Sequence, residues 1–499
     1  MSRGDGRSDR WAAQDVLFLA AVVGLPWFWG GVWMDAYRTA AAFIALAAGW
    51  ALMRQGSAGL GLGRRTAWLL PAFLLGAFAF AQTLPLPRAW IAGVSPKAAA
   101  LQADAFGPEG LTGEAWLRWI EEGARERVPE ASAARVAPGG ELTLGPEAPA
   151  PPRRFTLSLA PDITREKAFW YTTLLLAFLL AHRRAASERR ASVYRAVLFV
   201  FFTVLALVAI LGRATAPGRL LWLRDAPFPS RPFGPYVNPN HFAGAMELAV
   251  PWLLGYGLAG VAGRRSSAPP RAARAAALAG ALIGAAGTLL AASKAAAVTT
   301  ALTSLTLLAV AIVARRGHGR SKVLRGAALT VVLLGAVAAF GPMRGRIAEF
   351  NTLHEVPSSD DVRLQGWSAG LRMAHDFVWA GSGFGAFSEL VPAYLPRGES
   401  ELWAQLHNDY LEVFLAGGVI AAALVVWLAA AFGVRLFRAV RTESRNGRLL
   451  PALGLALGLV ALAVHEAVDF NLQMPANALL FVAIAAIAVA PAGRTESHA

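Results

Sequence analysis

His407 stands in the stretch Leu406-His407-Asn408-Asp409-Tyr410-Leu411-Glu412, where polar and ionisable side chains meet the start of a long apolar run. Polar groups at a membrane boundary are costly to place, so a cluster there needs a cause. Asp409 and Glu412 have the D-x-x-E spacing of a capping box, which satisfies free N–H groups at a helix start. That spacing accounts for those two residues. It leaves His407 and Asn408 just ahead of the expected helix, facing the preceding loop. Histidine titrates near neutrality, which suits it to accept a proton from an attacking hydroxyl.

Other polar segments share the expected side of the chain with His407. Asn238-Pro239-Asn240-His241 leads into an apolar run, and either a turn with a helix cap or a binding segment fits it. Ser293-Lys294 interrupts another apolar run. Adjacent residues on a helix point in different directions, which argues against a Ser–Lys dyad. Lys294 at a bilayer edge needs either an anionic ligand or a snorkelling route. Arg363 is either a solvated loop charge or an anion ligand, with Trp367 four residues on. Gly381-Ser-Gly383-Phe-Gly385-Ala-Phe387 has the composition of a phosphate loop, but no strand precedes it, and a turn between helices explains it as well. Asp469-Phe-Asn471-Leu-Gln473-Met-Pro-Ala-Asn477 joins two further apolar runs. His241, His354, His375, His407 and His465 show neither H-x-x-x-H nor H-E-x-x-H spacing, so no metal site is expected.

Cations and a histidine at one membrane surface fit one reaction class. Arginine and lysine hold a lipid-linked phosphate or diphosphate leaving group, and the histidine acts as base. Trp367, Tyr236, Tyr394 and Trp403 would offer faces for sugar C–H surfaces. The chemistry is glycosyl transfer from a polyprenyl diphosphate carrier.

The elements that must position these groups are membrane helices. The 499-residue chain is 56% hydrophobic and only 16% charged, against about 25% charged in soluble domains. Apolar stretches long enough to cross a bilayer recur along it, and about twelve spans are expected. They lie near 15–34, 38–54, 66–84, 167–182, 194–212, 241–261, 275–293, 296–314, 324–341, 409–434, 450–469 and 475–491. The run from Ala275 to Ala314 would extend roughly 60 Å as one helix, twice the bilayer core, so it must break, with Ser293-Lys294 the natural place. The net charge of +15 does not mark a nucleic-acid binder, because the basic residues are dispersed between apolar runs. There are no cysteines, which excludes disulfides and thiolate chemistry.

Arg64-Arg65, Arg183-Arg184, Arg189-Arg190, Arg264-Arg265, Arg315-Arg316 and the Arg435–Arg448 run fall in alternate loops, on the side of both termini. The positive-inside rule makes that side cytoplasmic and the long loops periplasmic. The first apolar run lacks a convincing cleavage site and is expected to be retained. The expected organisation is three helices in 1–84, a periplasmic loop at 85–166, helices four to nine in 167–341, a periplasmic catalytic loop at 342–408, and three helices in 409–499. Within the first loop, Glu114–Arg127 has the pattern of an amphipathic surface helix and Ala137–Pro152 that of a flexible linker. The all-α polytopic reading leaves two rivals to an enzyme. A transporter or flippase for lipid-linked sugars would fit twelve spans with both ends inside, but no matching halves are visible. A glycan-binding scaffold would have less need of a histidine beside two cations.

The segments Asn238-Pro-Asn240-His241-Phe-Ala-Gly244, Arg363…Trp367, Gly381-x-Gly383-x-Gly385-x-Phe387, His407-Asn408-Asp409-Tyr410-Leu-Glu412 and Asp469-Phe-Asn471 occur in the order found in the O-antigen ligase family, and the chain resembles that family. Leu84-Pro-Leu-Pro and Ser95-Pro add to the likeness. The family includes O-antigen and exopolysaccharide polymerases and protein O-oligosaccharyltransferases. The resemblance implies a metal-independent, inverting, GT-C-like glycosyltransferase of the bacterial inner membrane, working in lipopolysaccharide or polysaccharide biosynthesis. It implies an undecaprenyl diphosphate-linked glycan as substrate, no cofactor, and a lipid A-core or glycan acceptor. His407 matches the family's catalytic histidine and Arg363 one diphosphate-binding arginine. Lys294, after Ser293, stands where the family usually has the other arginine. It keeps the charge and loses the bidentate fork.

Overall fold

The computed structural model describes residues 13–64, 66–106, 154–226, 231–261, 268–315, 359–395 and 404–491. The expected span at 324–341, the surface helix, the linker, His354 and Trp403 lie outside the described residues. The described chain is helical: α1 Ala13–Gly24, α2 Met34–Gln55, α3 Leu70–Ala81, α4 Arg88–Val94, α5 Pro96–Phe106, α6 Pro161–Ala185, α7 Glu188–Thr215, α8 Pro239–Gly257, α9 Arg271–Ala291, α10 Lys294–Ala314, α11 Ser359–Asp376, α12 Phe387–Leu390, α13 Asp409–Arg445, α14 Leu449–His465 and α15 Pro475–Ala488. Two short antiparallel pairs accompany them, Leu86–Pro87 with Arg154–Phe155 and Arg219–Leu220 with Arg224–Asp225.

Five of these helices are long and apolar enough to cross a membrane: α2 with its 3-10 extension to Leu60, α7, α9, α10 and α13. The first expected span is not one helix. After α1 the chain continues through 3-10 turns at Leu25–Trp27 and Trp29–Gly31, because Trp29, Gly30 and Gly31 take φ of 55°, 71° and 75°. The Ala275–Ala314 run parts at Ala292, whose φ is 58°, and at Ser293, which precedes α10.

Helix α8 is buried on every side from His241 to Leu253, the pattern of a helix at the centre of a bundle. It lies along α14 and α9. The approach to α14 is close because glycines form the seam. A Cβ on Gly255 would fall 2.3 Å from the Leu450 carbonyl oxygen, and one on Gly454 would fall 2.2 Å from that of Pro251. Small residues at membrane helix interfaces permit this backbone proximity.

One end of the bundle gathers the starts of α8, α10, α13 and α15 and the end of α14. The other end carries an arginine-lined cavity. There Arg195, Arg435, Arg438 and Arg448, with Glu188 and Glu443, line a cavity of about 560 Å³. Nearby, Arg184 turns inward and pairs with buried Asp15, whose carboxylate also accepts from the Tyr194 hydroxyl at 2.7 Å. Over the first end sits a separate apolar cluster of Ile91, Phe155, Met373, Phe377, Phe387 and Leu406. It joins the segments expected as two distinct loops into one layer.

Candidate active site

Asp469 is the hub of the first end. Its carboxylate is 1% exposed and lies 3.5 Å from His407 Nδ1, 3.6 Å from His465 Nε2, 3.9 Å from His241 Nε2 and 4.0 Å from Arg363 Nη2. Four parts of the chain supply these groups: the end of α14 with the turn after it, the start of α8, the first turns of α11, and the segment entering α13. The Phe470 ring stands edge-on to both His241 and His407, with centroids 4.7 and 4.6 Å away. It separates the two imidazoles while both face the same carboxylate. Burial alone would raise the Asp469 carboxyl, but contacts from His407 and His465 hold it well below the usual carboxylate range.

His407 is held from both flanks. The Leu406 amide donates to Glu412 Oε2 at 3.0 Å, and the Leu406 carbonyl accepts from Trp367 Nε1 at 3.1 Å. On the other side the Leu411 amide donates to Asn408 Oδ1 at 3.0 Å, and the Asp409 amide donates to the Glu466 carbonyl at 3.0 Å. Between these braces His407 takes φ 55°, a conformation that non-glycine residues adopt at a cost and that tends to mark functional positions. The side chain stays 30% exposed, with Nδ1 facing Asp469 and the ring open beyond it.

The cap differs from the one expected. Asn408, not Asp409, is the N-cap of α13, and Glu412 reaches back past the helix start to Leu406. The D-x-x-E spacing misassigned the cap by one residue, because a short Asn side chain can serve the same free N–H groups. The Asp409 carboxylate is buried and lies against the side chains of Glu466 and Gln473. It adjoins Glu466, which burial and the nearby Asp409 charge push far above its ordinary value.

The remaining expected site residues divide. His241 joins the cluster. Asn238 is the N-cap of α8, accepting from the Asn240 amide at 2.9 Å, and Asn240 is half-buried on that first turn. Tyr410 is largely exposed and donates to the Ala463 carbonyl. Lys294 is half-buried at the first position of α10. Five residues further along that helix, Thr299 donates to Glu247 at the centre of α8.

Gly383 and Gly385 lie in a closely packed turn. Helix α13 breaks at Gly418, with φ 60° and ψ −156°, and the glycine loop fills the break. The Ser382 and Gly383 amides donate to the Leu415 and Ala416 carbonyls at 2.8 and 3.0 Å, and the Val419 amide donates to Val378 O at 2.8 Å. Gln82 Nε2 closes the gap, donating to Ala380 O at 2.7 Å and Ala416 O at 2.9 Å. Irregular backbone inside a membrane protein must find such partners. The Gly385 Cβ position is blocked in turn by Ile163, at 2.6 Å.

The aromatic residues expected to stack on sugar are also engaged elsewhere. Trp367 holds the His407 loop. Tyr236 is 1% exposed and donates to Asn477 Oδ1 at 3.0 Å, and Tyr394 donates to Asp376 at 2.7 Å. Side-chain hydroxyl and indole N–H groups that become buried seek such partners.

Sequence reasoning missed three members of the cluster as site residues: Asp469, His465 and Glu247. The signals were present. His465 ends α14 and Asp469 follows four residues later in the turn, close enough in sequence for the two side chains to meet. Glu247 is a lone carboxylate in an apolar run, which by itself suggests function.

Residues 279–426 match the family model described as Wzy_C, O-antigen ligase. The matched stretch contains Lys294, Arg363 and His407. Comparison with curated proteins finds no matching relative.

Proposed function

From the match of residues 279–426 to the O-antigen ligase family model, we propose that the chain is a membrane glycosyltransferase that moves a glycan from undecaprenyl diphosphate to an acceptor hydroxyl at the periplasmic face. The acceptor is lipid A-core or a growing glycan. The observation that carries this reading is the His407–Asp469 pair beside Arg363, on the bundle end opposite the cavity lined by Arg195, Arg435, Arg438 and Arg448. Buried Asp469 faces Nδ1, which leaves Nε2 for the acceptor hydroxyl. As the acceptor oxygen attacks the anomeric carbon, its proton passes to His407. The bond from that carbon to the diphosphate oxygen breaks, and the configuration inverts. The imidazolium that forms is stabilised by the Asp469 anion. Arg363 and Lys294 hold the charge released on the diphosphate leaving group. Charge stabilisation falls to side chains, so the reaction needs neither metal nor cofactor. Both termini are cytoplasmic in this reading, and the enzyme resides in the inner membrane.

The test is transfer by purified, reconstituted protein. His407→Ala should bind the polyprenyl diphosphate donor as the parent does and lose about 10²–10⁴ in transfer rate. A variant that still forms the glycosidic bond at near-parent rate overturns the mechanism. Transport of intact donor with no new bond would identify a flippase instead.

A further inference from the structure

Behind Asp469 the polar contacts continue inward. His465 Nε2 faces Asp469 Oδ2 at 3.6 Å, and its Nδ1 lies 2.8 Å from Glu247 Oε2. The other Glu247 oxygen accepts from Thr299. His465 is 2% exposed and Glu247 is not exposed at all. Stability gives a poor account of this arrangement. Burying a charged pair often brings no net gain over apolar residues of the same volume, and here it sits in the middle of the most buried helix. The geometry is more selective than a generic buried pair. A ring nitrogen complements a carboxylate when it carries a proton, and His465 faces a carboxylate with each nitrogen. The doubly protonated ring therefore fits both neighbours, and its orientation is fixed from both sides. Neither Glu247 nor His465 is placed to touch substrate.

We propose that Glu247 and His465 are positioning residues of the transfer site. Glu247 fixes the His465 ring, His465 fixes the Asp469 carboxylate, and Asp469 in turn aligns His407. Through Thr299 the same Glu247 carboxylate ties this line to α10, the helix that begins with Lys294, so the base and the leaving-group cation are registered to one buried anchor. The inference rests on the assignment of His407 as base.

The experiment measures kcat and donor KM for Glu247→Gln and His465→Gln in the reconstituted full-length protein, alone and combined with Asp469→Asn. Misplacing a reacting group by about 1 Å costs on the order of 10²-fold, so each single variant should lose about 10–10²-fold in kcat with donor KM unchanged. In the Asp469→Asn background the second change should add little, because the line is already cut. A general packing role would instead multiply the two losses. Where Glu247→Gln fails to insert in the membrane, Thr299→Val cuts the link to α10 and should give a kcat loss of the same kind. Folded single variants with parental kcat, or losses that multiply in the double variants, overturn the inference. His407→Ala separates the two levels. If it stays active, the base assignment fails. If it is inactive while Glu247→Gln and His465→Gln are fully active, only the positioning role fails.

Discussion

His407 depends on neighbours that lie far from it in sequence. Its backbone is pinned by Trp367, Glu412 and Asn408, and its ring by Asp469. The first three flank the left-handed residue, and the last faces its Nδ1. Asp469→Asn replaces the anion with an amide whose N–H₂ group competes for the same nitrogen. Transfer should fall by on the order of 10²-fold or more, with unchanged protein level in membranes. Arg363→Ala and Lys294→Ala should each cost about 10²–10³-fold, the size of losing one charge-stabilising donor. Lys294→Arg, which keeps the charge, should remain active. Full activity in Lys294→Ala at normal protein level would show that this lysine only reaches for the headgroup region.

At the scale of elements, the glycine loop and the break in α13 make one joint. Gly381 has φ 71°, and a Cβ there would lie 2.2 Å from the Ala416 carbonyl. Gly381→Ala should therefore lower stability by more than about 1 kcal/mol, read as an earlier thermal midpoint in detergent. Gln82→Leu leaves two buried carbonyls with one partner fewer and should cost about 1–3 kcal/mol by the same assay. A midpoint unchanged in both variants would contradict the joint. Hydropathy made the helices on either side legible, since each buries or presents apolar residues over many turns. The break was not legible, because Gly417-Gly418 sits in an unbroken apolar run and the partners that close it come from residues 82 and 378–383. The same limit applied to the site. His407 stood out because its neighbours in sequence are polar. Asp469 acquires its meaning only when α8, α11 and α14 bring His241, Arg363 and His465 to it. Composition also does not show that the Gly383 amide and the Trp367 indole N–H are engaged by the Ala416 and Leu406 carbonyls.

For the whole molecule, the two ends of the bundle differ in charge chemistry. One end holds histidines and carboxylates around Asp469, and the other holds arginines around a wide cavity. Arg184 is a partial exception, turned into the bundle by Asp15. Topology can be read with single cysteines in a chain that has none. Glu389→Cys, exposed near the His407 end, should react with an impermeant thiol reagent added to spheroplasts, and Ser57→Cys, exposed near Arg183, should react only after lysis. The reverse pattern would invert the orientation. Gln82, finally, has a bearing on the order in which the protein is made. It leaves the ribosome long before Ala380 and Ala416 exist, yet it is buried and bonded to both. The first helices must therefore wait in the lipid with that amide unclosed until the later ones arrive to claim it. Asp469 is synthesised later still. A nascent chain thus carries His407 for some time without the carboxylate that makes it useful.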